Sequence, residues 1–372
     1  MANEAKTIGN RRYNAKIRLN DRGAHSQGCP CSQRRYPQIH LRPPSLKKHF
    51  HFTGFSIKIK LPCGGNGFPR PDTIIKAEHQ RLMWKVMPVL GFLVAACIAQ
   101  TATPRDDLVV TSSWLQPRAN DKDLVILHAG SARSFADGHI AGARPADLEQ
   151  VSVSGPQGLL TELPTAEELR RKLEALGISD KSRVLVYSDT DNITRATRIL
   201  LTLDAAGFGR RSYLLDGGLQ GWKAEGRAVV TGSAKPAPGQ LSPLEYNPPI
   251  VDADFVKDRL PAPGYLLIDG RDAEFYNGET ESMGGKGHIP GARNVPFTAI
   301  TDASGKMKSQ EELQRLFTAA GYKPGDQVIA YCHIGIHATT VIFAARTLGI
   351  DAKLYDGSFQ DWVMRGFPVE LP

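Results

Sequence analysis

From about residue 106 the chain alternates short apolar runs with longer segments whose apolar positions recur every three or four residues. Leu124-Val125-Ile126-Leu127 and Val184-Leu185-Val186-Tyr187 read as buried strands, and Ser212 to Leu215 as a third, followed by Asp216-Gly217-Gly218 and Trp222. Thr165-Ala-Glu-Glu168 opens a helix that runs to Leu176. A threonine with glutamate three residues later satisfies two otherwise unpaired N–H groups, and Gly177 accepts the left-handed turn that ends the helix. Arg195 to Leu203 reads as the next helix. The order then returns: strand Tyr265-Leu266-Leu267-Ile268, a helix opened by Ser309-Gln-Glu-Glu312 with Leu313, Leu316 and Phe317 on one face, a strand running through Tyr331, and a buried helix from Ala338 to Leu348 closed by Gly349. Strands alternating with helices predict an α/β fold with parallel sheets flanked by helices.

The return is a duplication. His139-Ile-Ala-Gly-Ala-Arg144 recurs as His288-Ile-Pro-Gly-Ala-Arg293, the Thr165 cap as Ser309, and Asp216-Gly217 as Asp356-Gly357. Two domains are expected, 106–230 and 251–372, joined by a Pro-rich extended linker over 231–250. Aligning Val186-Tyr187 with Ala330-Tyr331 sets Ser188 opposite Cys332. A serine needs a base, and Asp189 and Asp191 beside it would repel an anion, so the first copy is expected to lack a nucleophile.

The net charge of +8 suggests a nucleic-acid partner until its distribution is considered: residues 1–82 hold 16 of the 46 basic residues and 4 of the 38 acidic ones. What remains is mildly acidic, which excludes a polyanion-binding surface. Residues 1–82 lack any sustained period and read as a basic disordered extension, or as non-native sequence upstream of the true start at Met83. Cys29-Pro-Cys31 has no second pair of ligands at zinc-site spacing. Over 83–102, Lys85 precedes the apolar run Val86 to Ala96 and then small residues, the pattern of a secretory signal peptide and shorter than the roughly 20 residues a membrane span needs. The chain is therefore expected to be exported to the periplasm. Val94-Ala95-Ala96-Cys97 also fits a lipoprotein box, so membrane attachment through Cys97 lipidation or an uncleaved signal is the alternative. Removal of the segment leaves Cys332 as the only cysteine, with no intramolecular disulfide partner.

Cys332 ends a strand, and Gly335 lies in the five-residue loop before the helix at Ala338. In a strand, tight loop and helix, the loop amides and the unpaired amides of the first helical turn favour an anion or a thiolate. Cys332 is thus a candidate nucleophile, whereas an ordinary thiol, with a pKa of roughly 8.5, is only a few per cent ionised at neutral pH. His333 and His337 can each add a hydrogen-bond donor or positive charge, since histidine titrates near neutrality.

Tyr331 to Thr340, together with Asp269-Gly270-Arg271-Asp272, Gly287 to Asn294, and Tyr355-Asp356-Gly357-Ser358 with Trp362, resembles the tandem-domain rhodanese family. The resemblance implies two rhodanese-like domains, the first inactive, and a sulfurtransferase without metal or cofactor. Its partners would be a small sulfur donor (thiosulfate or 3-mercaptopyruvate) and a thiophilic acceptor (cyanide, a small thiol or a protein thiol). Cys332 would carry a persulfide, and the backbone of His333, Ile334, Gly335, Ile336, His337 and Ala338 would bind the donor. By the same resemblance Arg271 binds the anionic donor; the alternative is an arginine paired with Asp269. His333 and Ile334 fit neither the thiosulfate-type nor the mercaptopyruvate-type loop, and a cationic His333 would tip the balance to thiosulfate. A phosphatase or arsenate reductase would need arginine at the sixth position after the cysteine, where Ala338 stands. A persulfide carrier or inactive binding module is the non-enzymatic alternative.

Overall fold

A computed structural model describes residues 104–259 and 262–372. The basic extension, the signal-like segment and Cys97 lie outside the described residues. Among the described residues, no helix is long and apolar enough to cross a membrane.

Ten strands form two sheets. The first comprises β1 (Val109–Val110), β2 (Leu124–Ala129), β3 (Ala143–Ala146), β4 (Arg183–Ser188) and β5 (Ser212–Leu215), in the order β1-β5-β4-β2-β3. The second comprises β6 (Ile250–Val251), β7 (Tyr265–Asp269), β8 (Arg293–Asn294), β9 (Gln327–Tyr331) and β10 (Ala352–Tyr355), in the order β6-β10-β9-β7-β8. Every pairing is parallel. Helices cover both faces of such a sheet, and for this reason β2 is buried along its whole length and carries apolar side chains on both faces. The identical strand order bears out the duplication inferred from the repeated motifs.

Four helices set the frame: α1 (Ala166–Ala175), α2 (Thr194–Ala205), α3 (Gln310–Ala319) and α4 (Ala338–Thr347). Both expected capping boxes are present, Thr165 with Glu168 on α1 and Ser309 with Glu312 on α3. Helix α4 is buried almost all round because its own sheet takes one side and α2 of the first domain the other. At their contact Thr197 Oγ1 lies 2.8 Å from Thr339 Oγ1 and 3.1 Å from Thr340 Oγ1. One continuous apolar cluster runs from Val125 and Val186 through α2 and α4 to Val328 and Leu354, so the two copies share a core. The linker lies against the first domain: Leu241 is buried, its N–H bonds Glu174 (2.9 Å), and Tyr246 Oη donates to Pro164 O (2.8 Å).

Candidate active site

Cys332 follows the tip of the central strand β9, and its loop is held from outside. Cys332 O accepts from Phe359 N and His333 O from Gln360 N, each at 3.0 Å. Ile334 O accepts from Thr161 Oγ1 (2.5 Å) and Gly335 O from Arg198 Nη1 (3.0 Å). Ile336 O accepts from Thr339, through both its N–H and its hydroxyl, and His337 O from Thr340 N. Six successive carbonyls are thus engaged by the surrounding protein. A peptide's N–H points opposite to its C=O, so the same bonds turn the amides the other way. Among the described residues, none of the N–H groups of residues 333–337 donates to a protein acceptor. An unpaired amide withdrawn from water costs about 1–3 kcal/mol, and a run of them marks a place prepared for negative charge.

Gly335 is required at the apex. It sits at φ +79, and a Cβ there would lie 2.6 Å from Asp356 O and 2.9 Å from Asp356 Oδ1. Asp356 in turn pairs with the fully buried Arg198 of α2 (2.5 Å), and its second oxygen accepts from Leu163 N (2.9 Å). Arg198 also donates to Thr161 O. The first domain, which contains no cysteine, therefore shapes the loop of the second. Ser188, which stands opposite Cys332 in the repeat, donates its hydroxyl to Asn192 O at 2.6 Å. Arg198 and Thr161 were not legible as site residues, since each acts only across the domain contact. Nothing local marks Arg198 out, since α2 also carries Arg195, Asp204 and three threonines.

Cys332 itself has no solvent exposure and belongs to the same apolar cluster as Ala338 and Val341. Ala338 is buried at the start of α4, Ile334 and Ile336 are half-buried, and no guanidinium stands at the sixth position. A cavity of about 290 Å³ lies between the domains, lined by Asp191 to Thr194 on one side and Phe297, Thr298, Thr301, Asp302 and Thr340 on the other. It adjoins the loop through Phe297, whose ring stacks on His337 at 4.0 Å.

Arg271 adopts the paired arrangement. Its Nε and Nη2 bind Asp269 (2.6 Å at the shortest), Nη2 also donates to Gly287 O (2.8 Å), and its face covers Phe359 at 3.9 Å. Only Nη1 is without a partner, buried. The fork that would grip an oxyanion is therefore occupied by a carboxylate. His288 is structural: it stacks on Tyr276 (3.9 Å) and bonds Tyr276 O (2.9 Å), as His139 does with Phe135 in the first domain.

The imidazoles depart from expectation. Burial pushes His333 down to about 4, with Arg271 and His337 adding to the effect, and burial also lowers His337. Both are neutral at pH 7, so His333 supplies no cation and the expected tilt toward thiosulfate loses its ground.

The rhodanese-like domain family model matches residues 111–225 and 252–365. The chain belongs to the rhodanese family. It is 33% identical over 270 residues to a probable 3-mercaptopyruvate sulfurtransferase of Pseudomonas aeruginosa, covering 68% of this chain and 94% of the relative. A thiosulfate sulfurtransferase of Azotobacter vinelandii is 30% identical, with 71% and 97% covered. Among solved structures, SseA from Escherichia coli, a 3-mercaptopyruvate sulfotransferase, superposes with a TM-score of 0.61 at 28% identity, covering 68% of this chain and 98% of that one. The family assignment fits the two sheets and the loop geometry already described.

Proposed function

We propose that this rhodanese is a sulfurtransferase that moves a sulfane sulfur from a small donor, of the thiosulfate or 3-mercaptopyruvate kind, to cyanide or a thiol through a persulfide on Cys332. The observation that carries the reading is the loop whose carbonyls are all engaged outward while the amides of residues 333–337 remain unpaired. Those amides favour the thiolate and then the terminal sulfur of the persulfide, since the negative charge stays within one loop throughout. With thiosulfate, the Cys332 thiolate attacks the outer sulfur, the S–S bond breaks, and sulfite leaves with its electron pair. Cyanide then attacks the terminal persulfide sulfur, departs as thiocyanate, and the Cys332 thiolate returns. No redox partner is needed, because the sulfur keeps its oxidation level from donor to acceptor.

Thiocyanate formation from thiosulfate and cyanide, with Cys332→Ser as control, tests this. Turnover in that variant equal to the parent would remove the mechanism, as would failure of Cys332 to gain one sulfur by intact mass. For the N-terminal segment we propose export, supported by Lys85 ahead of the apolar run Val86 to Ala96. Sequencing the N-terminus of the native protein would decide between release into the periplasm and an anchor at Cys97.

A further inference from the structure

Residues 153–163 of the first domain reach the second as a strap. Val153 and Glu162 exchange backbone bonds at 2.9 Å, and Gly155 N donates to Leu159 O (2.8 Å), which closes a hairpin. Its returning arm meets the second domain almost residue by residue. Leu160 N donates to Gln360 (3.1 Å), Thr161 Oγ1 to Ile334 O (2.5 Å) and Leu163 N to Asp356 (2.9 Å), while Thr161 O accepts from Arg198. Thr161 holds φ +58, a strained conformation for a β-branched residue that persists only where the surroundings impose it.

Glu162 lies in the middle of these contacts. Gly155 leaves room for its stem, since a Cβ there would lie 2.5 Å from Glu162 Cγ. Glu162 Oε1 is buried without a hydrogen-bond partner, and so is Arg198 Nε. Such atoms are rare in folded proteins. Here an open acceptor and an open donor belong to side chains already linked by one bond, because Arg198 Nη2 holds the carbonyl of Thr161, the residue before Glu162.

The charged and titratable groups facing Glu162 are Arg198 on α2, Tyr355 at the end of β10, Asp356 just after it, and Asp361 on the helix Ser358–Met364. Asp356 is held by Arg198 and Leu163 N, and Asp361 by Tyr355 Oη (2.9 Å) and Arg365 Nε (2.7 Å). Glu162 thus meets two carboxylates whose cations are already engaged. Burial first, then Asp356, pushes its carboxyl up to about 7. Above that pH its proton passes to water, and a further carboxylate competes for Arg198.

We propose that Glu162 is a positioning residue whose proton sets the Cys332 loop: neutral, it leaves Arg198 on Gly335 O and Asp356; ionised, it takes Arg198 Nε and draws the guanidinium off Gly335 O. The Ile336 N–H shares a peptide with Gly335 O, so it then loses its fixed direction. This rests on the sulfurtransferase reading of the Cys332 loop and adds control by pH to it.

The test measures thiocyanate formation from thiosulfate and cyanide at pH 6 and pH 8 in the parent, Glu162→Gln and Glu162→Asp. Cyanide changes protonation over the same range, so the informative quantity is the ratio of kcat in each variant to kcat in the parent at each pH. For Glu162→Gln that ratio should rise about tenfold from pH 6 to pH 8, the change in the neutral fraction of a carboxyl titrating near 7. Glu162→Asp keeps an ionisable group and should keep most of the alkaline fall. Proton–nitrogen NMR should show the Ile336 amide shifting with a midpoint near 7 in the parent and standing still in Glu162→Gln. A ratio for Glu162→Gln that stays level, or an Ile336 amide that shifts alike in both proteins, overturns the switch while leaving sulfur transfer intact. Absence of thiocyanate and of a sulfur-laden Cys332 in the parent would instead bring down the sulfurtransferase reading, and the Ile336 titration would still decide whether Glu162 moves the loop.

Discussion

Arg198 of the first domain donates to the carbonyl of Gly335 in the second, at 3.0 Å, with its side chain wholly buried. The same guanidinium grips Asp356, which stands against the Gly335 apex, so one side chain sets the turn that frees the loop amides. Removing one partner of a buried pair leaves the other uncompensated and costs about 3–5 kcal/mol. Arg198→Met is therefore expected to lower the urea midpoint and the rate together. Pairing Arg198→Met with Asp356→Leu should recover much of the stability but not the rate, because Gly335 O is still unheld. Recovery of both in the double variant would reduce Arg198 to a structural role.

Gly335→Ala isolates the loop. The left-handed region costs a non-glycine residue roughly 1–2 kcal/mol, and here the added Cβ also meets Asp356 O at 2.6 Å. Turnover should fall at least tenfold while the far-UV spectrum is kept. An unchanged kcat/KM would show that the amide arrangement does not govern catalysis.

Stability should depend on pH through groups that act in opposite directions. Burial first, then Asp356, pushes the Glu162 carboxyl up to about 7 from its ordinary 4.5, with Arg198 opposing and Asp361 adding. A raised carboxyl holds its proton in the folded state after the unfolded chain has released it. Its contribution is complete below pH 4.5 and is lost as pH rises to 7. Glu162→Gln should therefore stabilise the protein at pH 8 by about 1–2 kcal/mol after discounting for solvent screening, and do nothing at pH 4.

His128 and His333 work the other way. Burial holds each down to about 4 from 6.5; around His333 the neighbours are Arg271, His337, Asp269 and Asp272, and around His128 they are Asp189, His139 and Lys223. Their stabilisation is present above pH 6.5 and is lost as pH falls through 4. His128→Gln should flatten the acid limb of a urea-midpoint profile; an acid limb as steep as the parent's would contradict the assignment.

Much of the fold was legible because its signals are local. The capping boxes at Thr165 and Ser309, the apolar runs of β2, β4, β7 and β9, and the repeated His-Ile-x-Gly-Ala-Arg segments each declare themselves within a few residues. The edge strands β1, β6 and β8, two residues each, are too short to carry a period. The Cys332 loop was legible for the same local reason. What was not legible depends on distant packing: Arg198 reaches its partners 137 and 158 residues away in sequence. His333 looks titratable in the sequence and becomes neutral only once Phe275, Ser282 and Arg271 enclose it. Arg271 shows the converse, because Asp269, two residues before it, was in plain view and does take the guanidinium.

The apolar cluster that crosses from Val186 to Leu354 bears on how such a duplicated protein can be dissected. A fragment beginning near Ile250 would keep the cysteine and its sheet but lay bare the greasy flank of α4, and would be expected to clump rather than work. The first copy thus serves as the missing wall of the second copy's interior, and a substitution on either side of that seam is felt by both.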